Sequence, residues 1–183
     1  MKYKTYITLA IALFFFAVPI TGYTGSWNIS SGPEYGIDTG TKYSLQRNFI
    51  KTNIGYEKQL SGTWSGELEL GYAYQMLPYN SESLSFKTLL HKYVYQGNKW
   101  DFGLYGGPGL TRIISGYRDN EPDITGELNF TLTAGLEIYK EICDDIDLGV
   151  RFGIDHASNA GTGAYNTGRN GVFCLMSLKF GRR

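Results

Sequence analysis

The sequence predicts an all-β protein, an eight-stranded antiparallel up-and-down transmembrane β-barrel. Three observations support this class. Apolar and polar residues alternate with a period of two in one segment after another, which is the strand signature. The composition favours strands and tight turns, with 15 Tyr, 10 Phe and 24 Gly in 183 residues. The connections between the segments alternate between short and long, and no helical period appears after residue 25.

The alternation is clearest in residues 127–138, 62–76, 146–154 and 172–180. Over 127–138 the even positions are apolar and the odd positions are mostly polar. The even set is Leu128, Phe130, Leu132, Ala134, Leu136 and Ile138, and the odd set is Glu127, Asn129, Thr131, Thr133, Gly135 and Glu137. We predict eight strands at about 26–35, 43–58, 62–76, 83–96, 99–114, 125–140, 146–159 and 169–181, and the first two alternate least clearly.

The predicted connections fall into two classes. Short turns are expected near Leu60–Ser61, Gly97–Asn98 and Cys143–Asp145. Longer polar loops are expected near 36–42, 77–82, 115–124 and 160–168. Short turns on one side and longer loops on the other are typical of bacterial outer-membrane barrels. An even number of strands places both termini on the short-turn, periplasmic side.

The polar face of the predicted strands carries many charges. If this face lined the core of a soluble barrel, each charge would need a partner at high cost. In a membrane barrel the polar face lines the lumen, where charges pair with one another, and the apolar face contacts lipid. A soluble eight-stranded ligand-binding barrel is the alternative. The predicted lumenal charges are Glu67, Glu69, Lys87, Asp101, Glu137, Asp147, Arg151 and Asp155.

The first 22 residues resemble a secretory signal peptide. Met1–Lys4 is a short basic start, residues 5–20 are apolar, and small and turn-forming residues follow. We expect cleavage between residues 20 and 26 and a mature barrel over 23–183. The apolar run is shorter than the roughly 20 residues of a spanning helix, and a retained anchor helix is the alternative.

Several features restrict the function. Lys plus Arg equals Asp plus Glu at 17 each, which argues against nucleic acid as a partner. Cys143 and Cys174 fall far apart in the predicted register, so we expect two unpaired thiols, with a disulfide as the alternative.

With two His residues and no Cys/His spacing, no metal site is predicted. His91 is expected in the lumen. The glycine-rich stretch 103–109 is expected to make room for bulky lumenal side chains or to bend strand 5.

Three polar residues interrupt the lipid-facing rows at the long-loop end. His156 and Ser158 continue the even row of strand 7, and Asn170 begins the even row of strand 8. If the residue numbers of paired positions in the hairpin of strands 7 and 8 add up to 326, Asn170 lies opposite His156. Polar groups on a lipid-facing wall cost free energy. A base that is oriented by a third polar group and lies beside a serine hydroxyl can activate that serine as a nucleophile. The alternative is that the three side chains merely lie among lipid headgroups.

These residues also resemble a known family signature. His156-Ala157-Ser158-Asn159-Ala160-Gly161 with the downstream Asn166-Thr167-Gly168-Arg169-Asn170 is similar to that of lipid A 3-O-deacylases, the PagL-type acyloxyacyl hydrolases. The resemblance implies an eight-stranded outer-membrane barrel that needs no cofactor. It implies that Ser158 is the nucleophile and His156 the general base, with Asn170 where well-known members have Glu. It also implies oxyanion donors from Asn166 and a backbone N–H near Gly161. Alternation turns Asn159 inward, so we expect a structural hydrogen-bonding role for it.

The expected function is therefore that of an outer-membrane esterase. It would remove the 3-O-linked hydroxyacyl chain from lipid A in the outer leaflet, with lipopolysaccharide and outer-membrane lipids as partners and no nucleic acid. A homodimer is left open. A non-enzymatic barrel, either an adhesin or a structural protein, is the main alternative. Four arginines are expected near the outer rim, where they could meet lipid A phosphates: Arg47, Arg112, Arg118 and Arg169.

Overall fold

A computed structural model describes residues 25–37, 48–75, 81–116, 128–158 and 169–181. The predicted signal peptide, 1–22, lies outside the described residues. The chain forms a closed barrel in which each strand pairs antiparallel with the next and β8 pairs with β1. The strands are β1 (Gly25–Ile37), β2 (Asn48–Ser61), β3 (Trp64–Gln75), β4 (Ser81–Gln96), β5 (Trp100–Gly116), β6 (Leu128–Cys143), β7 (Ile146–Ser158) and β8 (Arg169–Phe180).

The predicted eight-stranded barrel is confirmed, and so is the predicted direction of its faces. Along β6 and β7 the buried and exposed positions alternate as the sequence does. Apolar residues point outward, with Leu132 59% exposed and Met176 56% exposed. Many charged and amide residues point inward and are buried, among them Asn28, Glu67 and Arg151. None of the described residues belongs to a helix long and apolar enough to cross a membrane.

One predicted turn is wrong in position, and another is confirmed except for its first residue. Leu60 and Ser61 are the last residues of β2, and the chain reverses at Gly62 and Thr63 instead. Gly62 adopts a φ of 52°, a conformation that glycine takes without steric cost. Cys143 likewise ends β6, and the turn that follows is Asp144–Asp145. At this rim the backbone hydrogen bonding between strands continues past the point where the apolar alternation ends. The strand ends predicted from the side-chain pattern, at 58 and 140, therefore come too early in the chain.

Arg151 lies at the centre of an ion network in the lumen. Its Nη2 is 2.7 Å from Glu67 Oε2 and its Nη1 is 3.0 Å from Glu69 Oε2. His91 lies beside it, with Nε2 2.9 Å from Glu67 and Nδ1 2.8 Å from Glu137. His91 therefore lies in the lumen as predicted. The eight charged residues predicted to face the lumen are all buried: Glu67, Glu69, Lys87, Asp101, Glu137, Asp147, Arg151 and Asp155.

A second group of charges lies around Asp155, nearer the long-loop end of the barrel. Lys51 forms ion pairs with both Asp155 and Glu34, the latter at 2.5 Å. Lys87 Nζ is 3.1 Å from Asp155 Oδ2 and 3.7 Å from Glu69 Oε1. The group therefore ties β7 to β1, β2, β3 and β4 across the lumen. Because each buried charge has a partner of opposite sign, the desolvation cost of the group is offset.

Glycines make room for the bulky side chains that fill the rest of the lumen. A Cβ on Gly135 would lie 2.7 Å from the Tyr105 ring. In the glycine-rich stretch of β5, a Cβ on Gly103 would lie 2.9 Å from Glu137 Oε1, and one on Gly109 would lie 2.7 Å from Lys87 Cγ. The space-making role predicted for the stretch 103–109 is therefore confirmed at Gly103 and Gly109.

The two thiols are unpaired, as predicted. Cys143 is exposed at the short-turn end, at the last residue of β6. Cys174 lies on β8 opposite Phe152, the pairing that the predicted register gives. Because β7 runs from Ile146 to Ser158, a disulfide between Cys143 and Cys174 would have to span about half of that strand.

The lumenal ion network gives the first testable prediction. Arg151→Met keeps most of the side-chain volume but leaves Glu67 and Glu69 buried without their guanidinium partner. We expect a loss of about 3–5 kcal/mol in the free energy of unfolding, the usual effect of breaking a buried ion pair. Urea unfolding in lipid vesicles measures it.

The control for this variant is Lys140→Met, at an exposed position of β6 on the outer surface of the barrel. An exposed charge of this kind contributes less than about 1 kcal/mol. Equal stability of Arg151→Met and the unmodified protein would show that the lumenal pairs do not hold the barrel together.

Candidate active site

The β7–β8 hairpin brings His156 and Asn170 together. The two residues are directly paired, so the predicted register sum of 326 is confirmed. Their side chains form a hydrogen bond, with His156 Nδ1 2.7 Å from Asn170 Oδ1. Because an amide oxygen only accepts, Nδ1 carries the proton and donates it. In the neutral ring Nε2 is then the basic nitrogen.

Ser158 lies on the same outer face of β7. His156 is exposed and Ser158 is half-buried. Asp155, which precedes His156, and Ala157, which lies between the two, point inward and are buried. Residues two apart on a strand have Cα atoms about 6.6 Å apart, a gap that an imidazole and a hydroxyl can bridge by side-chain rotation. Among the described residues, the hydrogen bond that His156 makes is the one to Asn170. Catalytic hydrogen bonds are often formed only once substrate is bound.

Apolar neighbours surround the pair along one row of the outer wall. Leu132 of β6 pairs with His156, and Ile37 of β1 pairs with Asn170. A groove of about 300 Å³ opens beside them. The volume is at the lower end of the range for small-ligand sites, roughly 300–1,000 Å³. The groove is lined by Ile37, Leu132, Ala134, Ile154, Asp155, His156, Asn170 and Gly171.

The inner side of the same wall is fixed by Asp155. Thr133 Oγ1 donates a hydrogen bond of 2.5 Å to Asp155 Oδ1, and Lys51 and Lys87 form ion pairs with the same carboxylate. Asp155 precedes His156 in the chain, so the backbone that carries the imidazole is held from three other strands. A site supported by packed, charged side chains keeps its geometry better than one carried by a loop.

Several residues predicted for the site lie outside the described part of the chain. These are the proposed oxyanion residues Asn166 and Gly161, the structural Asn159, and the rim arginines Arg47 and Arg118. Arg112 lies on the outer face of β5 and is exposed, paired with Leu128 near the long-loop end. Arg169 is paired through its backbone with Ala157.

Within the described strands, Glu57, Glu67 and His91 place one ligand atom each within 4.8 Å of one another. Cations of the protein already occupy this cluster. Arg151 binds Glu67, and Lys179 Nζ lies 2.7 Å from Glu57 Oε2. Both ring nitrogens of His91 face carboxylates. A divalent cation would therefore meet bound positive charge, and the residues do not fit a metal centre.

The sequence analysis missed the apolar half of the site. Leu132, Ala134 and Ile154 line the groove, but each has the sequence pattern of an ordinary lipid-facing residue of its strand. Ile37 also lines it, but it fell in the predicted loop 36–42, whereas the structure places it at the end of β1. The cross-strand register could have revealed part of the groove, because the residue numbers of paired positions in β6 and β7 add up to 288 over most of the two strands. Applied to His156, that sum finds Leu132 as its neighbour.

Comparisons with known proteins agree with the geometry at the level of the fold. No family model matches the chain, and no curated protein matches it. Among solved structures, the outer membrane enzyme PagL aligns with a TM-score of 0.58 at 17% identity, over 82% of this chain and 97% of that one. The fold is that of the eight-stranded outer-membrane barrels.

Two other structures align over a similar share of the chain, one with a comparable TM-score and one with a lower score. Neisserial surface protein A (NspA) gives a TM-score of 0.59 at 8% identity, over 87% of this chain and 99% of that one. The N-terminal β-barrel domain of Pseudomonas aeruginosa OprF gives 0.53 at 13% identity, over 87% and 100%. The outer membrane enzyme PagL and the surface protein NspA therefore fit this barrel about equally well. Because the fold does not distinguish these two kinds of protein, an activity has to be argued from the side chains of the site.

Proposed function

We propose that this protein is an outer-membrane esterase that removes the 3-O-linked hydroxyacyl chain from lipid A. The observation that carries the proposal is the hydrogen bond of 2.7 Å between His156 and Asn170, with Ser158 on the same outer face of β7. Two further points support it. Residues 156–161 resemble the lipid A 3-O-deacylase signature, and an outer membrane enzyme, PagL, shares the fold.

The position of the three side chains suits a membrane lipid as substrate. The outer wall is apolar and the lumen is charged, which is the arrangement of a barrel surrounded by lipid. In such barrels the longer loops face the outside of the cell, so Ser158, at the loop end of β7, would meet the outer leaflet. A lipid could then reach the site by lateral diffusion, without entering the filled lumen.

The reaction would follow the logic of serine hydrolases. Asn170 holds the proton of His156 on Nδ1, so Nε2 removes the proton of the Ser158 hydroxyl. The Ser158 oxygen attacks the ester carbonyl carbon, the ester C–O bond breaks, and Nε2 returns the proton to the leaving sugar oxygen. Water, deprotonated by His156, then cleaves the acyl-enzyme and releases the hydroxy fatty acid. Asn166 and a backbone N–H near Gly161 remain the proposed oxyanion donors.

The neutral amide at position 170 distinguishes this site from one with a carboxylate. Asn170 fixes the tautomer and the orientation of the ring, as Asn does in papain-like proteases. It does not offset the charge of the imidazolium that forms in the transition state. In the proposed enzyme the His156 ring is therefore oriented, but its positive charge is not stabilised. We expect a slower reaction than in an enzyme with a carboxylate at the position of Asn170.

The proposal predicts that Ser158→Ala and His156→Ala each abolish release of hydroxy fatty acid from lipopolysaccharide, because each removes a group that makes or breaks a bond. Mass spectrometry of lipid A, after incubation with the purified barrel, measures the release. Ser31→Ala is a matched control, since Ser31 is an exposed serine on the outer face of β1. Equal release by Ser158→Ala would rule out the mechanism, and no release by the unmodified protein would favour a non-enzymatic barrel.

Asn170 gives a further prediction. Asn170→Asp keeps the side-chain shape and turns a neutral hydrogen bond into a charge-assisted one, which is stronger by about 1 kcal/mol or more. We expect the rate of deacylation to rise about tenfold, and to fall about tenfold in Asn170→Ala, where the ring loses its partner. Single-turnover rates on purified lipopolysaccharide measure both. A rate unchanged in both variants would show that Asn170 does not orient the base.

A further inference from the structure

The outer wall of the barrel is positively charged at its short-turn end. The outward-facing positions of the described strands carry three charged side chains there, and all are lysines: Lys58 of β2, Lys92 of β4 and Lys140 of β6. The acidic residues beside them belong to the inward rows, since Glu57 is buried and Glu141 pairs with the buried Asp147. Because short turns lie on the periplasmic side of such barrels, these lysines lie near the headgroups of the periplasmic leaflet.

The ammonium group of Lys92 is held in place beside Trp64, the first residue of β3. The two residues are register partners, and Lys92 Nζ lies 4.9 Å from the centre of the indole ring. Lys92 Nζ also donates a hydrogen bond of 2.5 Å to Thr63 Oγ1, and Tyr93 N donates one of 2.9 Å to the carbonyl oxygen of Thr63. An ammonium has three N–H donors, and the bond to Thr63 uses one of them. The others can reach a ligand at the membrane surface.

A second lysine points at the same part of the wall. Lys58 pairs with Gly66, the next outward residue of β3 after Trp64. The Cα atoms of Lys58 and Lys92 are therefore separated by two strand spacings and by two residues along the strand, a distance of about 12 Å. Gly66 places no side chain between them, and a Cβ there would lie 3.4 Å from the side chain of Leu60. The long lysine side chains can thus bring both ammonium groups to one phosphate above an apolar surface.

A second pair of Trp and Lys at this end of the barrel differs in its surroundings. Trp100 is the first residue of β5, and its register partner Lys140 has Nζ 5.4 Å from the centre of the indole ring. The outward neighbours of Lys140 are apolar, with Ile138 on its own strand and Leu148 opposite it on β7. Lys140 therefore presents a single ammonium, whereas Lys92 shares its part of the wall with another.

We propose that Lys58, Lys92 and Trp64 bind a phospholipid of the periplasmic leaflet whose headgroup has a net negative charge, such as phosphatidylglycerol. Its phosphate accepts hydrogen bonds from both ammonium groups, and the indole lies at headgroup level, where Trp side chains are enriched in membrane proteins. A zwitterionic lipid fits less well, because its own ammonium would lie beside two lysines with no outward acidic side chain of the described strands to accept it. The site is at the opposite end of the barrel from His156 and does not depend on the proposed esterase.

The test uses Trp64 as the only indole of the chain, after Trp27→Phe and Trp100→Phe. The barrel is placed in phosphatidylcholine vesicles that contain either phosphatidylglycerol or phosphatidylcholine brominated near the ester end of one acyl chain, and bromine quenches a nearby indole. The quenching by the two lipids gives their relative binding constants at Trp64. We expect phosphatidylglycerol to be preferred by about tenfold or more, since each lysine near a membrane surface contributes roughly fivefold. Lys92→Met and Lys58→Met should each lower this preference by about fivefold.

Lys140→Met is the matched control, because it removes the same charge from the same end of the outer wall. It should leave the lipid preference at Trp64 unchanged, and a protein with Trp100 as its only indole should report a weaker preference. A shift of the Trp64 ring in Lys92→Met affects both brominated lipids alike, so their ratio still reports selectivity. The proposal is overturned if the two lipids quench Trp64 equally, if Lys92→Met keeps the full preference, or if Lys140→Met lowers it as much as Lys92→Met does.

Discussion

The lumenal ion network is the interaction on which the rest of the structure depends. Arg151 holds Glu67 and Glu69, and Lys51 and Lys87 hold Asp155, so charges from β2, β3, β4 and β7 meet inside the barrel. A charge turned outward would enter the apolar face at high cost, so the network fixes which face of each strand points inward. A shift of one residue in any strand would turn these charges to lipid and the leucines to the lumen.

The candidate site follows from the same constraint. Since Asp155 is held inward by Lys51 and Lys87, the next residue, His156, must face outward. Ser158 and Asn170 obey the same alternation, and the register of β7 with β8 completes the hydrogen bond between the ring and the amide. The barrel thus presents an imidazole, a hydroxyl and an amide on an apolar wall, and this placement is the reason for proposing a membrane lipid as the substrate.

Much of this arrangement could be predicted from the sequence because alternation has a period of two and is easily recognised. The strand count, the inward charges, the pairing of His156 with Asn170 and the separation of the two thiols are confirmed. The ends at Ser61 and Cys143 could not be predicted, since backbone pairing there outlasts the apolar pattern. The groove beside the site was also missed, because its lining comes from β1, β6, β7 and β8, which no local sequence pattern brings together.

The central claim is that the two histidines lie on opposite sides of the barrel wall, His91 in the lumen and His156 against lipid. Because the chain has only two His residues, their imidazole NMR signals can be assigned with one variant of each. The most direct measurement is the paramagnetic broadening of these signals in nanodiscs that contain a nitroxide-labelled phospholipid. The account predicts strong broadening for His156 and little for His91. A protected His156, or equal broadening of the two rings, would contradict it.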